Sequence, residues 1–266
     1  MPRAATGADI IITTRTIITT MIITMAIIAT TAAITAMNEA VLYNLLSWMS
    51  PAWPVGAFAH SSGLEWAVED GLVTDRVSTE AWLADWLDHG GGWTDAVLFT
   101  FAHRATLRRD GPALLELAEL ALAVQTTAER RLEAVAQGSA FRKIARSTAA
   151  TPALALLDLV PDEELTYPVA VACLTAGHGA PLVWALTAYL HGVVANLSSA
   201  AQRLIPLGQT DGQLAIAALR ERVAAVVARA VELEVQNPFE ALGAAAFVAD
   251  IASMAHETQY TRLFRT

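Results

Sequence analysis

An all-α fold, built as a single multi-helix bundle, is what this sequence predicts, on three observations. Apolar residues recur at i, i+3, i+4 and i+7 in segment after segment, glycines and prolines punctuate those segments, and beyond residue 37 no run alternates as a strand would. With 266 residues the chain can bury a sizeable core, and one core is the simpler organisation. The 55% hydrophobic content is rich in alanine, which suits closely packed helices as well as lipid.

Residues 1–37 stand apart from this pattern. They are almost entirely Ile, Thr, Ala and Met, without charge from Thr16 to Met37, a length that just spans a bilayer. Threonines interrupt the run and no aromatic anchors flank it, so it reads as a low-complexity extension, disordered or preceding a true start at Met37. A membrane anchor or export signal is the competing reading. The bundle is then expected over 38–266.

From Asn38, read as a cap, Leu42, Leu45, Leu46 and Met49 fall on one face of an amphipathic helix. Pro51 and Pro54 stop that helix and Gly56 permits a bend, which makes SPAWPVGAFAHSSGLE, Ser50 to Glu65, a stiff loop. Ser62 with Glu65 reads as a capping box opening a helix at Gly63 that runs to Gly71. The loop is either a helix connection with its aromatics in the core or a docking surface, and both readings stay open.

Ser78 begins a helix with the apolar stripe Trp82, Leu83, Trp86 and Leu87, closed by Gly90, Gly91 and Gly92. Thr94 to Arg109 continues as helix up to the break at Gly111 and Pro112. Leu114 to Gln137 reads as one long helix in which Glu129, Arg130, Arg131 and Glu133 make a solvated face. Gly138 is expected to interrupt it before a shorter helix with Arg142, Lys143 and Arg146, and Pro152 and Pro161 bracket another.

No Asp, Glu, Lys or Arg occurs from Leu165 to Gln202. Such a run is either a pair of membrane helices or the centre of a bundle, covered by other helices or by a second subunit. Gly177, Gly179 and Pro181 cut it, and His178, His191, Asn196 and Gln202 are awkward in lipid, which favours the bundle. Pro206 and Gly208 end it. Thr210 with Gln213 reads as a second capping box, launching a long helix through Leu214, Leu219, Val223, Val226 and Val227. Asn237, Pro238 and Glu240 supply a cap, a first-turn proline and an acid for the last helix. The closing SMAHETQYTRLFRT has the aromatic and arginine composition of an interface anchor with little core left to join.

A net charge of -9, from 26 acidic and 17 basic side chains, argues against binding a nucleic-acid backbone. Cys173 is the single cysteine, so there is no disulfide framework and no CxxC metal knuckle, which suits a reducing compartment. Six histidines supply no HxxxH pair, and neither a GxSxG elbow nor a P-loop occurs. His60 beside two serines and His256 next to Glu257 are the best polar candidates, each by default a hydrogen-bonded structural group at a helix end. A helical metal- or cofactor-dependent enzyme using His60, His256 and Glu257 remains the catalytic alternative. Asp211 reads as part of a helix start.

Three segments in order, SPAWPVGAFAHSSGLE, QRLIPLGQTDGQ and HETQYTRLF, together with the weaker AERRLEAVAQGSAF, resemble the UreF family of urease accessory proteins over about residues 41–266. Residues 1–37 depart from the family pattern, and Trp53 and His60 sit where the family varies. The resemblance implies an all-helical, non-enzymatic, cytoplasmic chaperone that forms a homodimer. It further implies binding to the UreD accessory protein, also called UreH, recruitment of the UreG GTPase, and service to the urease apoprotein as nickel is inserted into its active site. It implies no nucleic-acid or membrane partner and no tightly bound cofactor or metal, nickel being handled by the complex.

The partner-binding positions implied are Pro54, Gly56, Phe58, His60, Gly63 and Glu65 in the first segment. Gln209, Asp211 and Gly212 come from the second, and His256, Glu257, Tyr260, Arg262, Leu263 and Phe264 from the third. In the expected mechanism, UreD orders the tail around Arg262, which then braces the Phe58 loop in a shape the GTPase binds. Whether the outcome is GTPase activation, a fidelity checkpoint or nickel conduction stays open.

Overall fold

The computed structural model describes residues 39–243 and 246–266, so the expectations for residues 1–37 and for a cap at Asn38 lie outside the described residues. Backbone contacts separate 1–44 from 45–266, and the architecture is that of the second unit. Helix α1 covers residues 39–48. Its buried side chains include Leu45 and Trp48, whereas Leu42 and Leu46 are exposed, which corrects the expected face. The indole of Trp48 takes the core position beside His178, with ring centroids 4.9 Å apart, and turns the helix accordingly.

A 3-10 turn η1 (Ala57–Ala59) and the short α2 (Leu64–Glu69) follow, then α3 (Arg76–His89), α4 (Gly91–Leu107), α5 (Gly111–Ala123) and α6 (Ala128–Thr148). The second half runs through η2 (Pro152–Leu159), α7 (Tyr167–Gly177), α8 (Leu182–Leu204), α9 (Gln209–Ala218), α10 (Arg220–Val231), η3 (Pro238–Ala241) and α11 (Phe247–His256). Among the described residues there is no strand, and the all-α class holds.

The centre is the pair α4 and α7, which pack on each other, with α6 and η2 against α7 and α3, α5, α8 and α10 against α4. Helix α7 is buried on nearly every side, as its uncharged sequence requires. Helix α8 is the one described helix long and apolar enough to cross a membrane. It nevertheless buries Leu186, Leu190, Val194 and Leu197 along one side, and its Asn196 and Arg203 hydrogen-bond to the loop before α2.

Several boundaries correct the expected ones. The long helix expected over Leu114 to Gln137 is two, because Thr127 adopts an extended conformation and its hydroxyl accepts from Arg130 N–H as the cap of α6. Gly138 does not interrupt α6; it is where the chain entering α7 crosses, and a β-carbon there would stand 2.1 Å from Leu165 O. At Ser62 and Thr210 the expected capping boxes are absent. The caps are the backbones of Gly63 and Gly208, without side-chain hydrogen bonds, since Ser62 and Glu65 have partners elsewhere. The long helix expected after Thr210 breaks at Leu219, and the Asn237 cap serves η3 rather than the last helix, which starts at Phe247.

Candidate functional site

The closing segment is not free. Phe264 is 3% exposed and sits in an apolar cluster with Leu64, Ala67, Val73, Ala200, Ala201 and Ile205. The expectation that little core was left for the tail is therefore corrected: α2 and the end of α8 supply it. Burying a phenylalanine there is worth roughly 2–3 kcal/mol.

Polar pairing then fixes the tail in register. The Glu65 carboxylate accepts from Leu263 N–H at 2.6 Å and Phe264 N–H at 2.9 Å, and faces His256 Nε2 at 3.0 Å. His256 Nδ1 lies 2.6 Å from Glu129 Oε2, and Arg262 Nη1 donates to Glu129 Oε1 at 2.8 Å. Carboxylates only accept, so both His256 contacts are hydrogen bonds when both ring nitrogens carry protons. Arg265 N–H donates to Ala59 O, and Thr266 O accepts from Ser61 N–H and the Ser61 hydroxyl at 2.7 and 3.0 Å. His60 Nδ1 meets Thr266 Oγ1 at 2.7 Å.

A third buried carboxylate, that of Glu133, lies beneath this layer. Arg130 donates to Ser62 Oγ and to Glu133, each at 2.6 Å, while the Ser62 hydroxyl donates to Glu133 at 3.1 Å. Ser62 holds φ at 55° and Gly63 at 83°. A left-handed serine is strained by about 1 kcal/mol or more, and these hydrogen bonds offset it. Gly63 has a further constraint, because a β-carbon would stand 2.9 Å from Ser253 N of α11.

Glu129 and Glu133 are thus buried at 7% and 8% exposure, a correction to the solvated face expected for them. Of the sequence-predicted positions, the structure brings together His60, Gly63, Glu65, His256, Arg262 and Phe264. Glu257 flanks them, its carboxylate accepting from Ala128 N–H at 3.0 Å. Leu263 turns its side chain outward and Tyr260 is fully exposed. Gln209, Asp211 and Gly212 stand apart in the first turn of α9, where Asp211 lies 3.7 Å from Arg76 and Gly212 O accepts from Ser198. Sequence reasoning missed the functional setting of Glu129, Arg130, Glu133 and Arg203, although all four lie within the quoted segments.

The loop over Pro54, Gly56 and Phe58 roofs a cavity of about 340 Å³ lined by Trp53, Asp95, Glu133, Tyr189 and Asn196, among others. On its floor the Tyr189 hydroxyl donates to Asp95 Oδ2 at 2.7 Å. Burial pushes the Asp95 carboxyl up from 3.8 to about 6, opposed by Arg130 and the Tyr189 hydrogen bond. Native protein therefore keeps a proton there that the unfolded chain releases. The stability from this group is greatest below about pH 4 and is lost as pH rises to about 6, on the order of 3 kcal/mol in all. Burial lowers His60 instead, so its contribution is present above the ordinary histidine range and lost as pH falls through its depressed value.

Asp95→Asn keeps an oxygen for Tyr189 and isolates the first of these effects. It is expected to gain about 2–3 kcal/mol over wild type at pH 7.5 and almost nothing at pH 4. Urea unfolding of both proteins at the two pH values checks this, and parallel pH profiles would refute it. No group of His, Cys, Asp and Glu side chains among the described residues is arranged to hold a metal ion.

The family model UreF matches residues 73–220 of the chain. The urease accessory protein UreF of Rhodopseudomonas palustris strain BisB18 is 51% identical over 235 residues, covering 88% of this chain and 96% of the relative. That of strain TIE-1 is 49% identical over 231 residues, 87% and 95% of the two chains. The UreF of Bradyrhizobium sp. strain BTAi1 is 49% identical over 236 residues, 88% and 96%.

Proposed function

Since the chain belongs to the UreF family, we propose that it is a non-catalytic urease accessory protein, a cytoplasmic adaptor that binds UreD (UreH) and recruits the UreG GTPase to the urease apoprotein. The observation that carries the reading is the docked tail. Glu65 and Glu129, from two of the segments that carry the resemblance, clasp His256 and Arg262 from a third, beside the loop that presents Phe58 at 68% exposure. A partner gripping the outward side chains of Tyr260 and Leu263 would favour the docked tail over a released one. A ligand shifts such an equilibrium only by its preference for one state.

The implied roles of Pro54, Gly56 and Phe58 at the GTPase surface, and of Tyr260 and Leu263 toward UreD, belong to this proposal. Exposed Phe247, Val248, Ile251 and Met254 form an apolar stripe on α11, which supports a further protein contact there and suits the homodimer. Nickel is cargo of the assembled complex. Equilibrium dialysis of the isolated protein is expected to show no submicromolar nickel site.

Co-purification of the full chain with UreD and UreG tests the reading. Wild type is expected to form the ternary complex, and deleting residues 257–266 to lose both partners. Arg262→Ala removes one charge-assisted hydrogen bond, so it is expected to keep UreD while weakening UreG recruitment by about tenfold or more. A wild-type chain that binds neither partner would overturn the proposal.

A further inference from the structure

Arg203, near the C-terminal end of α8, touches the loop and the tail at once. Its guanidinium carbon lies 3.7 Å from the centre of the Phe58 ring and 4.2 Å from that of Phe264. Nη1 donates to Phe58 O at 2.8 Å, and Nε to Ser199 O at 3.3 Å, which ties the group to its own helix. Phe264 is held in the apolar cluster, whereas Phe58 faces solvent. Arg262, expected to brace the loop, is held by Glu129.

We propose that Arg203 is the positioning residue that couples docking of the tail to the conformation of the Phe58 loop. With Phe264 seated, the guanidinium is held against two rings and presents its N–H to Phe58 O. With Phe264 withdrawn, it loses one aromatic partner, and the loop loses part of what fixes it. The loss of one cation–π contact is enough to shift loop populations severalfold. Lysine cannot replace the group, because an ammonium is a compact charge without a planar fork that stacks and donates together. A competing route exists through the backbone, where Arg265 N–H bonds Ala59 O and Ser61 N–H bonds Thr266 O. The coupling itself stands independently of any partner; its consequence, that tail docking readies Phe58 for the GTPase, rests on the proposed function.

Amide exchange of Ala59 and His60 in the full-length chain separates the two routes, since both N–H groups are bonded within the loop, to Gly56 O and Ala57 O. Phe264→Ala is expected to speed their exchange about fivefold to tenfold in the wild-type background and less than twofold when Arg203→Ala is already present. Arg203→Lys, which folds with the charge retained, is expected to behave as Arg203→Ala. If Phe264→Ala speeds exchange equally with and without Arg203, or Lys restores the coupling in full, the proposal is overturned in favour of the backbone route. In the presence of UreD and UreG, Arg203→Ala is expected to hold UreD within about twofold and lose UreG by about tenfold. A wild-type chain that recruits no UreG defeats the functional reading, while the exchange result still decides the role of Arg203.

Discussion

Replacing Glu65 with alanine is expected to cost about 3–5 kcal/mol and to release the tail. One carboxylate there serves Leu263 N–H, Phe264 N–H and His256 Nε2, and alanine removes the partner of all three atoms, leaving His256 only its Nδ1 contact with Glu129, in a site where Glu65 is 6% exposed. Two orphaned backbone donors alone cost on the order of 2 kcal/mol. The loss should lower the unfolding midpoint by about 10 °C. Glu65→Gln, which retains one acceptor oxygen, is expected to fall between. Calorimetry reads the midpoint, and exchange at Leu263 and Phe264 reads the release. A Glu65→Ala protein with wild-type protection at those two amides would show that Phe264 alone holds the tail.

Gly138→Ala is expected to destabilise by about 3 kcal/mol or more, against the usual sign for this substitution. In an unobstructed helix interior alanine gains about 1 kcal/mol over glycine. Here the new carbon would lie 2.1 Å from Leu165 O and 2.7 Å from Thr166 C, which are backbone atoms and cannot rotate aside. Helix α7 would have to move, and α7 is packed on both α4 and α6. Chemical denaturation gives the sign directly. A neutral or stabilising result would mean that the two segments slide apart at little cost.

Much of the fold was legible because helices announce themselves locally. Of the stripe Trp82, Leu83, Trp86 and Leu87, the last three are buried and Trp82 is partly buried, and Pro181 and Pro206 bound the long α8. The site was legible as segments but not as a network. Glu129 and Glu133 lie in a run of charges that any periodicity analysis assigns to solvent, since nothing local reveals a histidine and an arginine more than a hundred positions away. Ser62 and Glu65 have the spacing of a capping box, yet Ser62 turns to Glu133 and Glu65 to the tail. A longer-range partner outcompeted the local one. The arginine and phenylalanine of the tail drew attention as an anchor for another protein, and composition cannot distinguish that from an anchor for the chain itself.

The separation of these partners along the chain bears on how the molecule is made. His256 lies 191 positions from Glu65 and 127 from Glu129. Contacts so remote close late, because the intervening chain must first be ordered. During synthesis from the N-terminus, α2 and α6 emerge with carboxylates placed for a ligand that has not yet been translated. Until residues 256–266 have emerged, those acids lack His256 and Arg262, and the loop bearing Phe58 lacks the segment that pairs with Ala59 and Ser61. A chain cut before His256 would therefore keep most of the bundle and lack the clasp, because both basic partners of Glu65 and Glu129 would be gone.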